Sequence, residues 1–189
     1  MRIEEYKARI PVVEYIENFV DVDKFEDYCR ECKNWERVWS CPPFKFDPID
    51  YWAQYDRFFV LGYKIFLETE EEKSNWEKSL ADAKKKMMDY LFEMELMYIG
   101  GVSLAPGNCK ICAEKEAIII DDNSYCTRAN EEPCKHPEKM RYSIEALGGD
   151  VSKTAADLLD LELKWGKNGE LPEYFVLVGG LIYSDKAFM

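Results

Sequence analysis

The sequence predicts an α/β domain: one small unit with a central sheet flanked by helices, and with metal-binding cysteines carried on loops. Three observations predict it. Aromatic and branched runs of strand type, "YDRFFVLGYKIFLE" at 55–68 and "EYFVLVGGLIYS" at 173–184, are separated by a long stretch of helical period at 74–99. The chain has 189 residues, 47% of them hydrophobic and 14% aromatic, enough for one packed core, so 1–189 reads as a single metal-binding domain. The seven cysteines fall in the turn- and proline-rich segments between these runs rather than inside them.

In chain order, "IPVVEYI" (10–16) reads as a first strand or extended segment. "DVDKFEDYC" (21–29) reads as a short helix capped by Asp21, with Val22, Phe25 and Tyr28 at helical spacing, leading into Cys29. "CPPFKFDP" cannot start helical, because the residue before each proline is forced to extended backbone. The run at 55–68 is a buried strand whose Gly62 marks a bulge. Residues 74–99 form the clearest helix: Ser74 and Glu77 make a capping box, Trp76, Leu80, Ala83, Met87, Leu91 and Met94 make the core stripe, and Gly100-Gly101 stops it. At that spacing Met87, Met88, Met94 and Met97 read as core rather than as a soft-metal site. "VSLAPG" (102–107) is a short strand and turn that delivers the second cysteine group, and "KEAIIIDDNS" (115–124) reads as an inserted strand and turn. A short helix, a Gly-Gly break and a helix capped near Asp150 or Ser152 precede the last strand at 173–184. Ligand loops that follow strands put a site at one edge of the sheet.

A net charge of −12 and a pI near 4.7, with no basic stripe, argue against nucleic acid and against an anionic membrane surface. The longest apolar run, "YFVLVGGLIY", is too short to span a bilayer, and the opening "MRIEEYKARI" lacks the apolar run of a signal peptide, so the expected compartment is the cytoplasm. Disulfides are rare there, and an odd number of cysteines would leave one over. Clustered thiols are then more naturally ligands.

They form two groups. Cys109, Cys112, Cys126 and Cys134 (C-x2-C-x13-C-x7-C) can complete one metal site. Zinc takes a compact tetrahedral thiolate shell, commonly from two C-x2-C knuckles, whereas an iron–sulfur cube spreads its corners over a larger volume and fits the looser second pair better. Cys29, Cys32 and Cys41 (C-x2-C-x8-C-P-P) supply only three thiols. Proline directly after a ligand cysteine recurs in iron–sulfur runs, and Trp35, Trp39 and Phe44 can shield a cluster from water or simply form core. The fourth position of this group is open to an Asp, a Glu, His136, a borrowed thiol or an external molecule. An iron with a labile position is a Lewis acid. Near Cys134, a lone His136 is more often a neighbour than a ligand, and Arg141 is by default a surface residue.

With "CREC", "WSCPP", "APGNCKIC" and "YCTRANEEPCKHPEKMRYSIEALGGDV" on the page, the chain resembles the DUF2284 family of predicted metal-binding proteins, from about residue 29 to the last strand. Members hold the second and third cysteines of the later block two residues apart; here thirteen residues intervene, and "KEAIIIDDNSY" has the look of an insertion. Members also tend to have Arg-Pro-Ser-Met-Glu-Ala where this chain has "RYSIEA". With the insertion removed the block is similar to a ferredoxin-like ligand run, so the resemblance implies one or two [4Fe-4S] clusters, with zinc as the alternative. Three functions follow: electron transfer to a redox partner protein, docked through the acidic surface; an enzyme acting on a small-molecule substrate through an open iron on Cys29, Cys32 and Cys41; or a zinc-stabilised binding module. Walker, Gly-x-Ser-x-Gly and HExxH motifs are absent, as is the C-x3-C-x2-C spacing of radical S-adenosylmethionine enzymes, which lowers the enzyme reading.

Overall fold

Strand β2 (Arg57–Phe66) alternates its side chains between two separate cores, and the rest of the molecule is arranged around it. In the computed structural model, which describes residues 1–116, 126–166 and 169–185, the described strands form a four-stranded antiparallel sheet of mixed α/β architecture. The order is β1 (Arg2–Pro11), β2, β4 (Phe175–Tyr183), β3 (Val102–Leu104). Phe58 and Val60 face one core with Tyr15, Trp52, Leu147 and Leu159; Phe59, Leu61, Tyr63 and Ile65 face the other with Met87 and Leu91. Burial on both faces explains why β2 reads as a continuous apolar run rather than an alternating one.

The first core is roofed by α1 (Val12–Phe19) and α7 (Val151–Leu159), the second by α5 (Trp76–Met97). Each fully buried Met or Leu of α5 contributes roughly 1.5–3 kcal/mol of transfer free energy. The methionine stripe is core as expected: Met87 and Met94 are buried and Met88 is packed against them, while Met97 is exposed.

Several elements differ from expectation. The first strand lies earlier, at Arg2–Pro11, and 12–16 is helical: Pro11 ends the ladder, and Val12, Tyr15 and Phe19 then form a buried helical stripe. The long helix breaks at Asn75, so the capping box is Thr69 with Glu72, at the start of α4 (Glu70–Ser74), and Ser74 ends that turn. Trp76 is half-exposed and stacks on Phe175 instead of entering the core. Gly62 marks no bulge, since β2 keeps unbroken register with both neighbours. A Cβ there would meet Leu159 Cδ1 at 2.6 Å and Leu161 Cδ1 at 3.0 Å; glycine lets the α7 layer descend onto the sheet. Of the segment 115–124, Lys115 and Glu116 end α6 (Ile111–Glu116), and the expected strand and turn lie outside the described residues.

The cysteines lie beyond both cores. Asp21 caps α2 (Val22–Arg30) as expected, accepting from the Lys24 amide, and this helix carries Cys29. β3 is an edge strand, and its continuation through Ala105, which bridges to Ser143, leads directly to Cys109. Among the described residues no helix is long and apolar enough to cross a membrane.

Candidate metal centre

Four short segments bring Cys109, Cys112, Cys126 and Cys134 around one space of about 10 Å³, shared with Val38, Trp39, His136 and Met140. Cys109 follows the turn after β3, Cys112 sits on α6, and Cys126 caps the 3-10 turn Thr127–Asn130. Thr127 Oγ1 donates to the Pro133 carbonyl (2.9 Å), which draws Cys134 back toward Cys126. Cys112 and Cys126 are buried and pack with Val38 in a small cluster, against which Trp39, Cys109 and, from the other group, Cys41 also pack. Burial pushes the Cys109 thiol up to about 11, with Cys126 and Cys134 adding to the effect and the Lys84 ammonium opposing it. Burial raises Cys134 as well.

The other three thiols gather where α2 ends. The Cys32 amide donates to the Cys29 carbonyl (3.0 Å), the Trp35 amide to that of Cys32 (3.0 Å), and the Cys41 amide to that of Val38 (2.9 Å), so consecutive tight turns return the chain to Cys41. The three act on one another electrostatically. Burial pushes Cys29 to about 11, helped by Cys32, Glu145 and Glu26; burial pushes Cys41 to about 12, helped by Cys32 and Cys29. Cys32 is exposed, and beside Cys29 opens a cavity of about 190 Å³ lined by Glu26, Pro42, Pro43, Phe44 and Phe46.

The loop 38–41 is the seam between the two groups. The Trp39 amide donates to Cys126 Sγ (3.4 Å), and Ser40 Oγ accepts from the Cys109 amide (2.9 Å). Arg128, two residues after Cys126, reaches across: Nη1 donates to the carbonyls of Val38 (3.1 Å) and Cys41, and Nη2 to that of Pro43 (2.7 Å). Its guanidinium also lies 5.4 Å from the Trp39 ring centroid. One planar cation thus holds the Cys41 loop in place from the segment that carries Cys126.

Sequence reasoning missed Arg128, because nothing in cysteine spacing marks a clasp. It also expected Arg141 at the surface. Arg141 is instead 15% exposed and forms a two-pronged pair with Glu95 (2.7 Å for each prong), and Glu95 also accepts from the Ser103 amide (2.6 Å). This ties α5, β3 and the chain after Cys134 together. His136 belongs to the four-thiol group, which removes it as a fourth donor for Cys29, Cys32 and Cys41. Glu145, read only as part of a helix, has a buried carboxylate that burial pushes above the ordinary carboxyl range.

No disulfide joins any of the seven cysteines, and among the described residues no three Cys, His, Asp or Glu side chains converge closely enough to hold one metal ion. As donors, all-sulfur sets suit zinc or iron–sulfur clusters and not magnesium or calcium. The family model for a predicted metal-binding protein (DUF2284) matches residues 16–182, most of the chain. No curated protein and no solved structure matches. The chain belongs to the DUF2284 family of predicted metal-binding proteins.

Proposed function

We propose that this protein carries two [4Fe-4S] clusters, one on Cys109, Cys112, Cys126 and Cys134 and one on Cys29, Cys32 and Cys41, and passes electrons to a redox partner in a reducing cytoplasm. The observation that supports this reading is the grouping of the thiols: Cys109, Cys112, Cys126 and Cys134 line one space, while Cys29, Cys32 and Cys41, brought together by consecutive tight turns, act on one another electrostatically beside a cavity at Cys29. A cluster spreads its corners wider than a single ion does, so it asks for thiols set around a space rather than converged on a point. When bound, a cluster supplies one-electron chemistry. The chain's part is to hold it, to keep water from it with Val38 and Trp39, and to direct the Trp39 amide at a ligand sulfur, a contact that tunes potential. Exposed Cys32 puts one set at the surface, where a basic partner can approach the acidic chain.

Two observations favour other readings. The tightness of the four-thiol space, about 10 Å³, favours a single zinc ion there. The cavity of about 190 Å³ beside Cys29 favours an enzyme that takes a small molecule at an open iron. Anaerobic purification with metal and acid-labile sulfide analysis separates them. Iron with equimolar sulfide and a brown chromophore is the expected result; a colourless protein with zinc and no sulfide overturns the proposal. A small molecule that perturbs the cluster's paramagnetic resonance spectrum would move the reading to the enzyme.

A further inference from the structure

Cys41 belongs with Cys29 and Cys32 by spacing, yet the bonds that place it come from the other set. Cys29 sits in the last turn of α2 and Cys32 in the turn that follows. That helix is seated on the 3-10 turn Glu145–Leu147: the Asp21 amide donates to the Gly148 carbonyl (2.8 Å), and a Cβ on Gly148, at φ 80°, would meet Val22 Cα at 2.8 Å. Residues 38–43 are seated elsewhere. The Trp39 amide donates to Cys126 Sγ (3.4 Å), and its ring Nε1 donates to the Glu132 carbonyl (3.1 Å), two residues before Cys134. Ser40 Oγ accepts from the Cys109 amide (2.9 Å), and Arg128 donates to the carbonyls of Val38, Cys41 and Pro43. Val38, only 1% exposed, packs with Cys112 and Cys126. The three-thiol group is therefore a junction: two of its thiols ride on α2, and the third rides on the four-thiol set.

Two of these bonds respond to ionisation of the thiols, which must lose their protons to bind a metal. Cys126 Sγ, once charged, accepts the Trp39 amide more firmly, since a hydrogen bond to an ionised acceptor is roughly twice as strong as one to a neutral acceptor. The Ser40 hydroxyl accepts from the Cys109 amide and lies 3.9 Å from Cys41 Sγ; once Cys41 is ionised, the hydroxyl alone can donate between them, and each bond polarises the next.

We infer that the two thiol sets load in order and are coupled through residues 38–43: filling the four-thiol set fixes this loop and so puts Cys41 in place for Cys29 and Cys32. The three-thiol set fills second, and holds metal weakly while the first is empty. This rests on the reading above that both sets carry metal, and it puts the open set under the control of the closed one. The coupling is reciprocal, so metal on the three-thiol set tightens the four-thiol set by the same factor.

The test uses the full chain, reduced and metal-free under anaerobic conditions, reconstituted with ferrous iron and sulfide. With enough for one cluster per chain, amide exchange at Trp39 and Cys41 is expected to slow about tenfold. Exchange that stays at the metal-free rate overturns the coupling, and this arm needs no variant, so a misfolded substitution cannot mask the answer. Cys134→Ala removes a half-buried ligand of the four-thiol set and leaves Cys109, Cys126 and Arg128 in place. Its three-thiol set, followed by the paramagnetic resonance signal that Cys29→Ala lacks, is expected to yield its iron at about tenfold lower chelator concentration than in the parent. Cys29→Ala is expected to weaken the four-thiol set by the same factor. If each variant holds the remaining set's iron as tightly as the parent does, the sets are independent while the cluster reading stands. If the unaltered protein takes up zinc and no sulfide, the cluster reading fails, and the same arms run with zinc decide the coupling by themselves. A chain that binds no metal overturns both.

Discussion

The two thiol sets are built to different standards. The four-cysteine set sits behind Val38 and Trp39, with Cys112 and Cys126 buried and hydrogen bonds holding the Cys109 and Cys126 segments and the turn that leads to Cys134. The three-cysteine set sits at a helix end, with Cys32 exposed and a cavity beside Cys29. On the proposed reading, the difference teaches how one small chain would hold one site for permanence and another for exchange. A closed sulfur shell resists ligand loss and water; an incomplete one keeps a position that can change partner.

The sharpest way to break that comparison is to remove one thiol from each set. Cys112→Ala takes a buried ligand from the closed set. It is expected to abolish metal at that site and to lower the thermal midpoint by several degrees, because metal binding free energy is also folding free energy. Cys32→Ala takes an exposed ligand from the open set and is expected to lose that site's metal while barely moving the midpoint. Iron content per chain and calorimetry read both. Equal destabilisation by the two variants would mean that the sets do not differ in structural weight.

Arg128→Ala comes next in size. It removes charge-assisted bonds to the carbonyls of Val38, Cys41 and Pro43, and is expected to cost about 3 kcal/mol. Both sets should suffer, since Arg128 joins the segment of Cys126 to the loop of Cys41. Arg128→Lys should not rescue, because an ammonium cannot fork to three carbonyls. Loss of metal from only one set would show that the clasp does not couple them.

The pH dependence of the metal-free protein is a smaller effect. The ordinary thiol value is 9.0, and burial holds Cys29 and Cys109 at about 11 and Cys41 at about 12 in the fold. The folded state therefore keeps protons that the unfolded state has already lost. The stabilisation is whole below pH 9 and is lost as pH rises toward 11–12. Urea midpoints of reduced, metal-free protein should fall above about pH 9, and less steeply in Cys41→Ala. Metal loading runs the other way, tightening with rising pH because each bound thiol must release its proton.

Much of the fold was legible because it depends on short-range pattern. β2, β4, the α5 stripe and the Asp21 and Asp150 caps follow from periodicity and capping chemistry alone. The first strand was misplaced because Pro11 divides two amphipathic segments that read as one, and the capping box was missed by five residues because Thr69-x-x-Glu72 and Ser74-x-x-Glu77 carry the same signature. The cysteine grouping was legible from spacing. The parts that position those cysteines were not: Arg128, Ser40 and the Glu95–Arg141 pair act through hydrogen bonds across separations that only the closed fold creates.

Ser40→Ala gives the finest test of the seam. Ser40 is 1% exposed, and its hydroxyl accepts from the Cys109 amide at 2.9 Å while lying 3.9 Å from Cys41 Sγ. Alanine leaves that amide without its partner in a closed environment and is expected to cost about 1 kcal/mol. The loss should appear in both sets at once, as a parallel fall in the stability of each site's metal to a chelator, because one oxygen serves a backbone of the closed set and a thiol of the open one. A fall confined to the Cys109 set would reduce Ser40 to a local hydrogen bond and leave Arg128 as the remaining link across the seam.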